Sequence, residues 1–338
     1  MYVLESFWSA AAQLSGRLDL SSLLSAGLNP AVVEPHVLRH HGVSTNHIRK
    51  LQEGRPLESR ARPVRLVDAS YPQLLRLLPH APPVLFLHGA EHLLESPAVA
   101  IVGARRCSVL AERFAGRLGA AVGGSGGVVV SGLAWGVDAA AHLAAGGRTI
   151  AVLGQSVDVP FAGSLRRRVK QLVSAGALLV SEFPPPQRPA RWTFRQRNRV
   201  ISGLATATVV VEAGMRSGSL ITARCALEQG RELYVVPDHP SHQHSAGGLA
   251  LLEAGVAPLT QPAHLVEMMG LRPASEHEPT GLVAQLADTP DAATLARRLA
   301  RPLREVQQAL SALELTGQVE RLAGGRYGAL SDRSRRTR

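Results

Sequence analysis

Between residues 98 and 236 the sequence repeats one unit, an apolar run closed by a small or polar residue, then a segment with helical spacing. The apolar runs are AVAIVG (98–103), GVVVSG, RTIAVLG, ALLVSEF, ATVVVEAG and RELYVVP. The intervening helical segments are SVLAERFAGRLGAAVGG, VDAAAHLAAGG, SLRRRVKQLVSAG and LITARCALEQG. In the first, Phe114, Leu118 and Val122 share a face. Continuously apolar strands alternating with amphipathic helices require a mostly parallel sheet covered on both faces. The expected fold class is therefore α/β, an extended Rossmann-like, doubly wound parallel sheet.

The flanks read differently. Residues 1–60 carry short apolar stretches at helical spacing, interrupted by Gly27, Pro30, Pro35 and Gly42. They predict a small helical domain of the SAM or helix-hairpin-helix kind. The α/β domain is expected over 63–270, and the polar, proline-bearing stretch 271–280 reads as a linker. Within 281–331, Thr289-Pro290-Asp291 has the look of a helix cap and first turn. Leu295 and Leu299 form one helix face, Val306, Leu310 and Leu313 another, and a hairpin turns at Gly324-Gly325. That order predicts a winged helix, followed by a disordered basic tail over 332–338.

Charge narrows the function. The chain has 338 residues and a formal net charge of +11. The segment 160–200 alone holds nine Arg or Lys and one acid, a net of +8. An excess this local implies a local polyanionic partner. Two cysteines, Cys107 and Cys225, are too few for a disulfide framework and read as buried thiols in a reducing compartment. No apolar run approaches a bilayer span and the N-terminal stretch has no basic leader, so no membrane association and a cytoplasmic location are expected.

Ligands of open α/β sheets bind outside the carboxyl ends of the strands. The turns there offer Gly103, Arg105, Arg106 and Ser108 after the first strand, and Ser131, Gly132 and Gly136 after the second. After VVVEA come Ser217, Gly218, Ser219 and Thr222. Gly/Ser turns that open helices present free amides and a positive dipole end to anions. Each turn alone is explained as well by tight packing; three at one sheet edge, beside the +8 segment, point to phosphate. The helix around Arg166, Arg167 and Lys170 adds basic groups opposite its apolar face, an arrangement that a solvated surface also explains. The stretch RWTFRQRNR brings Arg191, Arg195, Arg197, Asn198 and Arg199 together with Trp192 and Phe194, rings able to stack on unpaired bases or to be buried under the loop. The apolar run VISGLATATVVVEAG after it reads as the next central strand.

No catalytic constellation is visible. Neither a GxxxxGK[ST] nor a GxGxxG motif occurs at the expected place, so nucleotide hydrolysis and dinucleotide binding are disfavoured and no cofactor is expected. Glu212 and Asp138 end up near strand termini without a paired base, and Glu212 is readily an acceptor for loop amides. Asp238, His239, His242 and His244 in DHPSHQH lack a regular metal-ligand spacing and read as a polar loop.

These motifs in this order resemble the DNA-processing protein A (DprA/Smf) family. The resemblance runs from YPQLLRLLPHAPPVLFLHG through VAIVGARRCS, SGLAWGVDAAAHLAA, GGRTIAVLG, LLVSEFPP, RQRNRVISGLA and VVVEAGMRSGSLITARCALEQGRELYVVP. It implies a non-enzymatic protein that binds single-stranded DNA, forms a homodimer through the Rossmann-like domain, protects incoming DNA and helps load RecA recombinase in natural transformation. By resemblance, Gly103 and Arg105 match a Gly-x-Arg, Arg197–Arg199 an Arg-Asn-Arg, and Ser217, Gly218, Ser219 and Thr222 a Ser-Gly-Ser-x-x-Thr turn. The sequence departs from the family pattern at Asp238, at Gly247-Gly248-Leu249 and at VPFAG (159–163). Two other readings compete. One is a nucleotide phosphoribohydrolase using Glu212 and Arg105. The other is a regulator that binds duplex DNA through the winged helix, a segment whose six Arg and five acids leave only +1 over 279–331.

Overall fold

A computed structural model describes residues 2–238, 245–271, 285, 286, 288, 290–299, 302–315 and 319–329. Residues 1–273 form one compact unit and 274–338 a second. The expected linker (apart from Leu271), His239, His242, His244, Thr289 and the basic tail lie outside the described residues.

In the first unit, strands β1 (Tyr2–Leu4) and β2 (Leu57–Ser59) pair antiparallel and bracket helices α1 (Ser6–Gln13), α2 (Ser21–Ser25), α3 (Pro35–His40) and α4 (Thr45–Gln52). The helices were expected; the strand pair that ties their ends was not, because three-residue strands carry no readable period. Next come β3 (Arg62–Arg65), α5 (Gln73–Arg76), β4 (Val84–Gly89), β5 (Ala98–Val102), α6 (Val109–Gly124), β6 (Val128–Ser131), α7 (Val137–Ala144) and β7 (Thr149–Val152). The unit continues with α8 (Gly163–Ser174), β8 (Leu178–Ser181), α9 (Arg191–Gly203), β9 (Ala207–Val210), α10 (Ser219–Glu228), β10 (Glu232–Val235), α11 (Ala246–Glu253), β11 (Ala257–Pro258) and α12 (Pro262–Met268).

Among the described residues nine strands form one sheet in the order β11-β10-β9-β5-β6-β7-β8-β4-β3. From β11 to β8 every neighbour is parallel. β4 and β3 add an antiparallel edge that the strand–helix repeat does not announce. The period of two in a strand divides its side chains between faces. In β5, Ala98, Ala100 and Val102 join the apolar cluster that includes Leu4, Trp8, Leu75, Val200 and Ile201. Val99 and Ile101 join the opposite cluster with Leu118 and Val122 of α6, Val137 and Ala141 of α7 and Leu265 of α12. One face is thus closed by the N-terminal helices, α5 and α9, the other by α6, α7 and α12. The N-terminal helical segment expected over 1–60 and the body expected over 63–270 share one apolar cluster, from Leu4 and Trp8 to Val64 and Val200.

One element was misread. The residues VISGL after the arginine cluster are not strand but the last turns of α9; the strand begins at Ala207. Thr193, Arg197, Val200 and Ile201 sit at i, i+4, i+7 and i+8 and all are buried, so the helix has a proper inner face. Two of those four are polar, which hides the pattern from hydrophobic periodicity. Pro189 keeps Arg188 out of the helix, and the Thr193 hydroxyl accepts the Ala190 N–H at 2.9 Å to close the first turn.

In the second unit, helices Ala292–Arg298 and Leu303–Leu315 pack through Leu295, Val306 and Leu310 on the hairpin β12 (Val319–Arg321) and β13 (Tyr327–Ala329). The hairpin turns through Ala323–Gly325, as expected. The cap of the first helix is Asp291 itself, whose carboxylate accepts the Thr294 N–H at 2.7 Å. Asp291 therefore precedes the helix rather than lying in its first turn.

Candidate nucleic-acid interface

The chain runs from β5 through β8 in one direction across the sheet, then returns to place β9 and β10 on the other side of β5. The gap between β5 and β9 is a topological switch point, where carboxyl-end loops diverge and leave a crevice. A cleft of about 780 Å³ opens there. Gly103, Arg105 and Arg106 after β5 form one wall, Arg216, Ser217, Gly218 and Ser219 after β9 another, and Arg191, Phe194, Arg195, Arg197 and Asn198 of α9 the third. Six guanidinium groups line it against one carboxylate, Asp138.

The rim is held by hydrogen bonds that cross the switch point. Ser108 caps α6 by accepting the Ala111 N–H at 3.1 Å, and its own N–H donates to Glu212 at 3.1 Å. Glu212 is buried, so its carboxylate serves as a brace between the β5 and β9 loops. Asn198 donates through Nδ2 to the Gly218 carbonyl at 3.1 Å and pins α9 to the β9–α10 turn. In that turn the Ser217 and Ser219 hydroxyls share a 2.7 Å hydrogen bond. Gly247 and Gly248 both donate backbone N–H groups to the Ala213 carbonyl and brace the end of the same loop. Gly136 has φ +70°, and a Cβ there would sit 2.4 Å from the Ala104 carbonyl oxygen; only glycine lets the β6 loop lie against the β5 loop. A Cβ on Gly103 would meet Val137 at 2.7 Å for the same reason.

The arginines of α9 have three different fates. Arg191 and Arg195 are exposed on the cleft. Arg197 is only 5% exposed; it donates to the carbonyls of Gly132, at 2.9 Å, and Val152. Burial pushes its pKa down to about 10, against the pull of the neighbouring Asp138. Burial likewise raises Asp138, while Arg197 and the N–H groups of Gly132 and Ala134 hold it toward the charged form. Arg197 therefore forms the cleft floor and ties α9 to β6 and β7. Arg199 does not reach the cleft. It pairs at 2.6 Å with Glu182, which is fully buried and also accepts from Ser15 and Gln196.

The two rings part company as well. Phe194 lines the cleft, with the Arg105 guanidinium 5.6 Å and that of Arg197 5.9 Å from its centroid. Trp192 lies in a separate depression, edge-on to Phe183 at 5.7 Å. Arg166, Arg167 and Lys170 are exposed on α8 and do not line the cleft. Ser131 and Gly132 are buried behind it, the Ser131 hydroxyl donating to the Ile101 carbonyl at 2.6 Å. The structure thus gathers Gly103, Arg105, Arg106, Arg195, Arg197, Asn198, Ser217, Gly218, Ser219 and Thr222 of the expected residues. It leaves Ser108, Ser131, Gly132, Gly136 and Glu212 behind the lining as supports. Arg191, named with the arginine stretch, also belongs to the lining, and Arg216 belongs to it without having been singled out. The signal for Arg216 was its place immediately before the Ser-Gly-Ser turn.

No group of three or more His, Cys, Asp or Glu placed to hold a metal occurs among the described residues. Among them, too, no helix is long and apolar enough to cross a membrane.

Fold and rim together define an extended Rossmann-like protein with a winged helix at its carboxyl end. Residues 62–270 match the model of the family described as DNA recombination-mediator protein A, and 266–325 that of the DprA winged helix domain. Protein Smf of Escherichia coli K12 is 37% identical over 277 residues, 75% of this chain and 74% of that one. DNA processing protein DprA of Streptococcus pneumoniae R6 is 36% identical over 240 residues, 70% of this chain and 81% of that one. The X-ray structure of DprA from Streptococcus pneumoniae superposes with TM-score 0.62 at 29% identity, covering 78% of this chain and 98% of that one. A structure of DNA processing protein A from Helicobacter pylori, described for its single-stranded DNA binding mode, superposes with TM-score 0.57 at 27% identity, covering 63% and 98%. The chain belongs to the DNA recombination-mediator protein A (DprA/Smf) family.

Proposed function

We propose that this chain binds single-stranded DNA in the switch-point cleft and does not transform it. One observation carries this reading: six arginines, an arginine-flanked phenyl ring and the two glycine- and serine-bearing turns after β5 and β9 share one open crevice with a single carboxylate. Guanidinium groups and free amides suit phosphates, and a ring with exposed cations suits unstacked bases, which a duplex does not present. The rival enzymatic reading needs Glu212 free to act as acid or base. Here Glu212 is buried and spent on the Ser108 N–H, outside the lining of the cleft. The reading extends, by family membership, to a cytoplasmic homodimer joined through the α/β domain that protects incoming DNA and helps load RecA.

The test is an anisotropy titration of the full chain with single-stranded and duplex oligonucleotides of one sequence, beside an assay for free base released from nucleoside monophosphates. Tighter binding of the single strand, no released base, and retention of most of the affinity after removal of residues 279–338 are expected. Base release, or loss of single-strand binding with the second unit, contradicts the proposal.

A further inference from the structure

Helix α9 is a wall shared by two depressions. Arg191 and Arg195 face the arginine cleft; Trp192 and Gln196, one residue further round, line a second depression of about 670 Å³. Its other walls are Gln13 and Arg17 from the N-terminal helical segment and Phe183 to Arg188 after β8. No acidic residue lines it. Arg17 and Arg188 are exposed and form no ion pair among the described residues. Trp192 is 50% exposed, although a ring of its size is normally covered. Phe183 meets it edge to face and fixes its plane, and the rest of the ring stays open.

Among them Arg17, Arg188 and the open part of the Trp192 ring do not stabilise the fold in an evident way. Glu182, Ser15, Gln196 and Arg199 already join the N-terminal segment to α9 behind the depression. An open indole flanked by two unpaired cations, without a carboxylate, is the chemistry of a stacked base between two phosphates. The position matters too. Arg191 reaches the first cleft and Trp192 the second, so a strand leaving the first has only the end of one helix, about 10 Å across, to pass.

We propose that the second depression is an extension of the single-stranded DNA track, with one base stacked on Trp192 and the backbone held by Arg17 and Arg188. This rests on the cleft being the primary DNA site. It gives the N-terminal helical segment a direct part in DNA binding through Arg17.

The test uses the full chain and two oligothymidines, one of about 6 nucleotides and one of about 20, spanning the site sizes of single-strand-binding folds. The variant Arg17→Glu/Arg188→Glu/Trp192→Ala is expected to lose about tenfold or more in affinity for the longer strand and to bind the shorter one within about twofold of the parent. Equal losses for both lengths, or no loss for either, overturn the extension. Independently of that variant's folding, Trp135→Phe leaves Trp192 as the exposed tryptophan, Trp8 being buried. Its fluorescence should be quenched by the longer strand at saturation and not by the shorter; no quenching by the longer strand overturns the extension. Failure of the parent protein to bind the short strand would instead count against the primary cleft.

Discussion

Helices α8 and α9 carry most of the chain's positive excess, yet they use it in opposite ways. On α8, Arg166, Arg167 and Lys170 project into solvent, and only Arg168 turns inward, stacking at 4.2 Å over Trp135 and donating to the Ala134 carbonyl. On α9, Arg191 and Arg195 face the cleft, Arg197 is built into its floor, and Arg199 is locked to Glu182 behind it. The difference comes from placement. α8 covers the sheet through Val169 and Leu172 beside β7 and β8, whereas α9 lies at the switch point with buried polar groups on its inner face. Charge density along a sequence therefore locates a basic region but does not say which guanidinium groups are free to meet a ligand.

The largest effect should come from the least exposed arginine pair. Arg199→Ala leaves Glu182 buried with only neutral donors, and breaking a buried pair costs about 3–5 kcal/mol. Urea unfolding should register that loss, while DNA affinity measured well below the unfolding midpoint stays near the parent value. A stability change under about 0.5 kcal/mol, the size of an ordinary surface substitution, would erase the distinction drawn between Arg199 and its neighbours.

Next come the exposed cleft arginines. Arg105→Glu/Arg216→Glu should lower single-strand affinity about 100-fold by placing like charge against phosphate, with the melting temperature unchanged. A double variant that binds normally would remove the cleft from the account.

His142 sharpens the comparison, because the inward arginines of both helices, Arg168 and Arg197, act on it. Its Nε2 accepts the Leu133 N–H at 3.3 Å, so Nδ1 carries the proton and donates to the Thr149 hydroxyl at 2.6 Å. Burial first, then Arg168 and Arg197, lower its pKa from 6.5 to about 3. The unfolded chain thus binds a proton that the folded one refuses between those values. This contribution to stability is complete above pH 6.5 and is lost as pH falls from 6.5 toward 3, by about 2 kcal/mol at pH 5. Asp138, raised by burial, has the opposite sign. A His142→Gln variant should therefore show a flatter decline of unfolding free energy between pH 7 and 5 than the parent; identical slopes would refute a neutral buried imidazole.

The smallest effect is expected on α8. Arg166→Ala/Arg167→Ala/Lys170→Ala should change stability by no more than about 0.5 kcal/mol per site and should weaken DNA binding only modestly at low salt, through screened long-range attraction. A loss matching that of the cleft variant would place the DNA on α8 and reverse the comparison.

Much of the α/β body was legible in the sequence because its central strands are apolar on both faces and its turns are marked by Gly and Ser. The antiparallel edge was not, since RPVR of β3 reads as polar and its partner β4 pairs far along the chain with β8. α9 was misread at its carboxyl half because Val200 and Ile201 run into the apolar strand after them, while the buried Thr193 and Arg197 disguise the helical face. The rim turns were legible as sequence positions, and Glu212 as an acceptor for loop amides, but which amide it takes, that of Ser108, follows only when β5 and β9 lie side by side. The divide between Arg197, Arg199 and Arg195 is set by 100° steps around one helix.

The central claim is that the switch-point arginines neutralise phosphates of a single strand. The most direct measurement is the slope of log affinity against log salt for a single-stranded oligonucleotide, in the parent chain and in Arg105→Ala/Arg216→Ala. Each single-strand phosphate contact contributes about −0.7 to that slope, so the account predicts a slope shallower by about 1.4 in the double variant. An unchanged slope in a folded double variant would contradict it.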